Sequence, residues 1–119
     1  MSRDWLSYLD DIVESAEKIG RLLRGRSHDA FVADEAVFDA VLFNLQVIGE
    51  AVKRLPDTAR ASLPEVDWSG PARLRDFIAH RYFALDTQVV WDAAVNHVPG
   101  ILSAALTLLA RFDTRGDTP

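Results

Sequence analysis

The chain has 119 residues, enough for one hydrophobic core and too few for two. Hydrophobic residues make up 49% of it and charged residues 26%, which excludes the disordered class, while a formal charge of −5 excludes a whole-surface attraction to nucleic acid or anionic lipid. The absence of cysteine removes disulfides, thiol nucleophiles and thiolate metal sites together and fits a reducing cytoplasm.

The opening Met-Ser-Arg-Asp-Trp has no apolar run behind a basic flank, so no secretory leader is expected. From Asp4 to Arg24, Trp5, Leu9, Ile12, Ala16, Ile19 and Leu23 recur at alternating spacings of four and three, and Leu6, Val13 and Leu22 widen the stripe. An amphipathic helix is predicted there, ended by Arg24-Gly25-Arg26-Ser27, because glycine accepts the left-handed conformation after a helix C-terminus. Ser27 to Ala33 suits a short helical turn. Val37, Val41, Leu45, Ile48, Val52 and Leu55 mark a second long helix, stopped by Pro56, and Asp57 to Leu63 form a brief extra helix between Pro56 and Pro64.

Ser69 is expected to cap a third major helix, with Pro71 in its first turn and Leu74, Phe77, Ile78 and Phe83 as its apolar contacts. Asp86 reads as the cap of a further helix. Its apolar residues run from Val89, Val90, Ala93, Ala94 and Val98 into Ile101, Leu102, Ala105, Leu108, Leu109 and Phe112, with a kink or break at Pro99 and Gly100. The uncharged stretch from Ala93 through Ala110 invites comparison with a membrane span of about 20 apolar residues, but Asn96, His97, Pro99 and Gly100 interrupt it, and a buried helix and no membrane partner are expected. No segment alternates with period two, so the prediction is an all-α fold: an antiparallel four- to five-helix bundle in one domain, residues 1–112, with a flexible tail over 113–119. The late helices carry more apolar surface than one bundle seam needs, which points to a homodimer.

Most catalytic signatures are missing. There is no Gly-x-Ser-x-Gly elbow, no phosphate-cradling glycine loop and no His-Glu-x-x-His or Glu-x-x-His metal pair. Asp10 with Glu14 and Glu35 with Asp39 place paired carboxylates on helix faces, but no further ligands can be placed around them, and no metal site is expected. Charge concentrates instead around a histidine, in Leu74-Arg75-Asp76-Phe77-Ile78-Ala79-His80-Arg81-Tyr82-Phe83. Arg73, Arg75 and Arg81 against Asp76 give a local charge of +2 inside an acidic chain, enough to hold a phosphate without making the protein a general polyanion binder.

Arg75 and His80 stand about 140° and roughly 7.5 Å apart on a straight helix. Convergence on one phosphate therefore requires unwinding near His80 or a two-fold axis that brings the segments of two subunits together. Metal-free RNA cleavage needs an imidazole to take the 2′-hydroxyl proton and a guanidinium to neutralise charge on the phosphate, and His80 and Arg75 match those roles. On composition and spacing alone the structural reading is preferred, with His80 hydrogen-bonded and Arg75 paired to Asp76 or another carboxylate, and Tyr82 as an edge residue packing its ring.

Arg75, His80 and Tyr82 form Arg-x4-His-x-Tyr. Around them stand Tyr8-Leu9-Asp10-Asp11-Ile12, Asn44, Ile48-Gly49-Glu50-Ala51-Val52-Lys53-Arg54-Leu55, the Pro64 to Trp68 approach, and Asp86 to Trp91. In these features, which cover nearly everything from Asp4 to Ala110, the chain resembles the HepT-like toxins of the HEPN superfamily. The resemblance implies a helical-bundle homodimer with Arg75 and His80 at the subunit cleft, acting as a ribonuclease that needs no cofactor. It also implies a toxin–antitoxin pair whose partner, an MNT-type nucleotidyltransferase, uses ATP and magnesium to transfer AMP to Tyr82, with RNA, commonly tRNA, as target and no role for DNA. Asp76 departs from the family, where a polar amide is frequent after the arginine, and an acid there is positioned to pair with Arg75. Asn44 and Glu50 are read as supports of the cleft or as a buried polar network, and His28 and His97 are given no role. The competing reading is a non-catalytic helical dimer that binds a nucleotide or a partner's phosphate.

Overall fold

The computed structural model describes residues 4–115. Among them the chain is helical, without a strand: α1 (Trp5–Leu23), α2 (His28–Ala33), α3 (Glu35–Lys53), α4 (Asp57–Ala61), α5 (Ser69–His80), α6 (Thr87–Asp92) and α7 (Val98–Phe112). A 3-10 turn, Tyr82–Ala84, follows α5, and a π turn, Ala93–His97, joins α6 to α7.

The termini follow local chemistry. Asp4, Ser27, Asp34 and Asp86 each accept a backbone N–H of the first turn they precede, satisfying donors that a helix leaves unpaired. Gly25, at φ 73°, takes the left-handed step after α1. The start of α5 departs from expectation: Ser69 is its first residue and does not cap it. The Asp67 carboxylate does so, accepting the Gly70 N–H at 3.1 Å and the Ser69 hydroxyl at 2.8 Å. Asp67 lies two residues upstream of Ser69, so a carboxylate with a longer reach takes the role assigned to the nearer hydroxyl. The Ser69 hydroxyl, followed by the Gly70 N–H, holds the Asp67 carboxyl below its ordinary value.

The core is layered around α3. Its buried residues Val41, Leu42, Leu45, Ile48, Gly49 and Val52 cover more than one stripe, because α3 packs against α1 on one side and α5 on another. The α1 stripe Leu9, Ile12, Ala16 and Ile19 is buried between α3 and α7, and α7 contributes Val98, Ile101, Ala105 and Leu108. Trp5 against Phe112, with centroids 5.6 Å apart, sets the start of α1 beside the end of α7, so these two run antiparallel. Phe31 of α2, fully buried, packs on Phe38 and Trp91 and ties α2 to α3 and α6.

The Pro99–Gly100 discontinuity is a π turn and not a break. The Val98 N–H reaches back to the Ala93 carbonyl, and Pro99, which has no N–H, follows at once. Helix therefore runs through Thr87–Phe112, long and apolar enough by length and composition to cross a membrane. Only one face is buried, so the expectation of a buried helix holds for that stripe alone. Val95 and Leu106 remain 40% and 50% exposed.

The apolar contacts expected of α5 also differ. Ile78 is fully buried, but Phe77, about 100° round the helix from it, is 39% exposed, and Phe83 is 99% exposed because the helix stops at His80 and the 3-10 turn carries it off the stripe on which Ile78 lies. Helix α5 is thus an edge helix anchored mainly by Ile78, and its polar surface is available for chemistry. A groove of about 500 Å³ opens between α5 and α6–α7, lined by Leu45, Ile48, Leu74, Val89, Val98 and Ile101 among others.

Candidate active site

The geometry of α5 begins at its crossing with α3. A Cβ placed on Gly49 would lie 2.3 Å from Arg75 Cβ and 2.5 Å from the Pro71 carbonyl oxygen, so only glycine permits this approach. Close contact at Gly49 brings the next turn of α3, with Glu50, Lys53 and Arg54, alongside Arg75 and Asp76. The approach is held from below by Trp68, whose buried ring donates Nε1–H to the Arg60 carbonyl at 3.1 Å just before α5 begins.

Asp76 is the hub. Its Oδ1 accepts from Lys53 Nζ at 2.6 Å and from Arg75 Nη1 at 3.2 Å. These contacts, with the Lys53 hydrogen bond foremost and Arg75 after it, hold the Asp76 carboxyl below the usual carboxylate value. Its backbone carbonyl lies 2.7 Å from His80 Nδ1. A carbonyl oxygen can only accept, so Nδ1 carries the proton, and the neutral ring keeps its lone pair on Nε2. The His80 ring is exposed, which leaves Nε2 open to a substrate.

Arg75 is half-buried, with 34% of its side chain exposed, and lies between two acids: Asp76, and Glu50 at 3.6 Å from Nε. Glu50 is shared, since Arg54 donates to it through Nε and Nη2 at 3.2 and 3.0 Å. The cluster therefore sets the cations Lys53, Arg54 and Arg75 against the carboxylates Glu50 and Asp76. Arg73 turns to Ser69 Oγ and to Asp67 at 3.8 Å, and it lines the groove instead. Arg81 lies over the Phe77 ring at 6.0 Å. Asn44 is buried on the α1 side of α3, donating Nδ2–H to the Ala40 carbonyl at 2.8 Å beside Lys18 and Arg21, apart from the Arg75 cluster. The Tyr82 backbone opens the 3-10 turn two positions after His80, while its side chain lies outside the described residues.

Of the residues singled out in the sequence, the structure joins Arg75, Asp76, His80 and Glu50. Helix is unbroken through His80, so of the two routes to a shared phosphate the unwinding of α5 is not used; Arg75 meets Asp76 at its carboxylate and His80 meets it at its carbonyl, and convergence of the two on one phosphate is left to a two-fold axis. Lys53 and Arg54 were not singled out. Their signal was present as i,i+3 and i,i+4 partners of Glu50, which place all three on one side of α3. Among the described residues, no group of three or more His, Asp or Glu side chains is set to hold a metal ion.

Known proteins are similar to this chain over most of its length. The ribonuclease HepT-like family matches residues 12–108. A protein of Methanocaldococcus jannaschii provisionally named as an RNase is 39% identical over 97 residues, 82% of this chain and 80% of its own. The probable ribonuclease HepT of Thermococcus cleftensis is 35% identical over 101 residues, 85% of this chain and 92% of its own. A protein of Caldanaerobacter subterraneus, also provisionally named as an RNase, is 33% identical over 92 residues, 77% of this chain and 82% of its own. No solved structure matches. With a family match that spans most of its length around the Gly49 crossing and the Asp76 hub, the chain belongs to the ribonuclease HepT-like family.

Proposed function

We propose that the chain cleaves RNA without a metal ion, with His80 as acid–base and Arg75 as ligand of the scissile phosphate. Family membership makes it an endoribonuclease; the residue roles rest on the Asp76 bridge. The Nδ1–H bond to the Asp76 carbonyl fixes the ring so that Nε2 can take the proton of a ribose 2′-hydroxyl. The 2′-oxygen then attacks phosphorus, the bond from phosphorus to the 5′-oxygen breaks, and an imidazolium returns a proton to that leaving oxygen. Arg75 neutralises the charge growing on the non-bridging oxygens. With α5 unbroken, this convergence calls for a homodimer that sets two such segments about a two-fold axis, bringing Arg75 and His80 to one phosphate and supplying a second imidazole for the returned proton.

The same reading makes the chain the toxin of a two-component module, acting in the cytoplasm on RNA such as tRNA and silenced when an MNT-type nucleotidyltransferase uses ATP and magnesium to place AMP on Tyr82. An adduct on Tyr82, two positions after His80 in sequence, would add a negative charge and bulk to the segment that carries Arg75 and His80. At about 4 Å and an effective dielectric near 20, one such charge contributes about 4 kcal/mol, enough to compete with an RNA phosphate.

A second reading, a binding module without catalysis, has one observation in its favour: Arg75 is already engaged by Glu50 and Asp76. Purified protein incubated with RNA in EDTA separates the two. Cutting by the wild type and its loss in a helical His80→Ala protein supports catalysis. Tight RNA binding without cutting supports the module, and equal cutting by both proteins removes His80 from the mechanism.

A further inference from the structure

The end of α1 carries a second concentration of charge that the acid–base reading does not use. A groove of about 460 Å³ opens there against α3, and its described lining holds four cations, Lys18, Arg21, Arg24 and Arg26, and no carboxylate, in a chain whose formal charge is −5. Lys18 is paired with Glu14 at 3.3 Å and Arg26 with Asp34 at 3.4 Å, both at the surface, whereas Arg21 and Arg24 make no ion pair with a described residue. Cations in a last turn suit the helix dipole, which accounts for Arg21 and Arg24 taken alone. It does not account for what lies beneath them. Asn44, only 6% exposed, lines the same groove. Its Nδ2 donates to the Ala40 carbonyl, while its Oδ1 takes no hydrogen bond from a described residue and opens into the groove. A deeply set acceptor without a donor favours a ligand that brings one.

We infer that this groove is an exosite for RNA, in which Arg21 and Arg24 hold backbone phosphates away from the bond that is cut and Asn44 Oδ1 accepts the 2′-hydroxyl of the adjoining ribose. This rests on the ribonuclease reading and extends it with a second contact that tells ribose from deoxyribose. Charge complementarity favours this occupant. Cations around a single acceptor call for a ligand that is anionic and also carries a donor, and RNA combines a phosphate with a hydroxyl at every nucleotide. Asn44 and Glu50 stand six residues apart on α3, about 120° round the helix and roughly 9 Å along it, so the groove and the Arg75 cluster engage different nucleotides.

The test uses a fluorescent oligoribonucleotide long enough to span the protein's 52 Å length, its deoxyribose counterpart, and AMP as a free ribose phosphate. Binding is measured in a His80→Ala background, which keeps the strand whole, for the parent, for Arg21→Gln with Arg24→Gln, and for Asn44→Leu, together with the mass and helix content of each. The double substitution changes exposed side chains and should keep both. It should weaken RNA binding at least about ten-fold at low salt. The slope of log affinity against log salt should become shallower by about 1.4, the share of two phosphates on a single strand. Asn44→Leu should lower RNA affinity by about 2- to 10-fold and leave DNA affinity as it was; should it lose helix content, the double variant still decides. Equal RNA affinity in the parent and the double variant overturns the inference. So does AMP binding in the groove as tightly as the strand, which would make a free nucleotide its ligand, or a change of mass that makes the groove a contact between copies. Cutting that persists in the His80→Ala background would count against the role of His80 and not against the exosite, whose affinity is read from the initial binding signal.

Discussion

Where α1 meets α7, the contact is made by Leu9, Ile12, Ala16, Ala105 and Leu108, all buried and uncharged, so its free energy comes from apolar area. Where α3 meets α5, the contact is made by Gly49 against the Arg75 stem and by ion pairs linking Glu50, Lys53, Arg75 and Asp76. The first crossing holds the molecule together. The second is a positioning device, because a shift of a few tenths of an ångström there moves a guanidinium. Substitutions in the two regions should therefore separate stability from activity.

Removing the proposed acid–base group should have the largest effect on activity: His80→Ala is expected to lower the cleavage rate by about 10²- to 10⁴-fold while circular dichroism and melting temperature stay close to wild type. On the other side of the comparison, Leu108→Ala, at a fully buried position, should cost about 2–5 kcal/mol in urea unfolding and leave the activity of the folded fraction intact. An activity loss in Leu108→Ala beyond its unfolded fraction would erase the distinction between the regions.

Gly49→Ala should act on both properties. The new methyl meets Arg75 Cβ and the Pro71 carbonyl, neither of which is the loose end of a side chain, so α5 must move. The expected cost is about 1–3 kcal/mol, with an activity loss beyond the change in folded fraction. A fully active Gly49→Ala protein would show that the close approach does not position Arg75.

Smaller effects should come from the hub. Asp76→Asn removes a negative charge from an exposed site beside Arg75 and should strengthen RNA binding by up to about five-fold at low salt, less at high salt. The Asp76 carboxyl lies below its ordinary value in the folded protein, so its ion pairs stabilise the fold fully above the unfolded-state pKa. That contribution is lost as pH falls through the lower folded value. Lys53→Met should move the Asp76 titration midpoint upward by NMR; an unchanged midpoint would show that Lys53 is not its main partner.

Much of this fold was legible in the sequence because it is written in periodicity and caps. The α1 stripe, the Pro56 stop, Gly25 and the Asp86 cap require only local rules, and the structure carries each of them. What escaped depended on partners distant in sequence or on competition between neighbours. Asp67 displaced Ser69 as the cap of α5 because its carboxylate meets two donors at once. Phe77 and Phe83 read as core because aromatic residues on a helix usually are, and only the chain's exit after His80 puts Phe83 outside. At the site, the pairing of Asp76 with Arg75 was visible as a neighbouring acid, whereas Arg75 and His80 were marked out by the family resemblance and not by spacing. The dominant partner of Asp76 is Lys53, 23 residues away, and no pattern within α5 points to it.

The most direct test of the mechanism uses one RNA whose cleavage position has been mapped, and its counterpart with a single 2′-deoxy sugar on the 5′ side of that position, both incubated with wild-type protein in EDTA. If His80 Nε2 activates the 2′-hydroxyl against a phosphate held by Arg75, the all-ribose strand is cut and the 2′-deoxy strand survives at that bond. Equal cutting of the two strands would contradict the account, because the nucleophile would then be something other than the hydroxyl that His80 is placed to deprotonate.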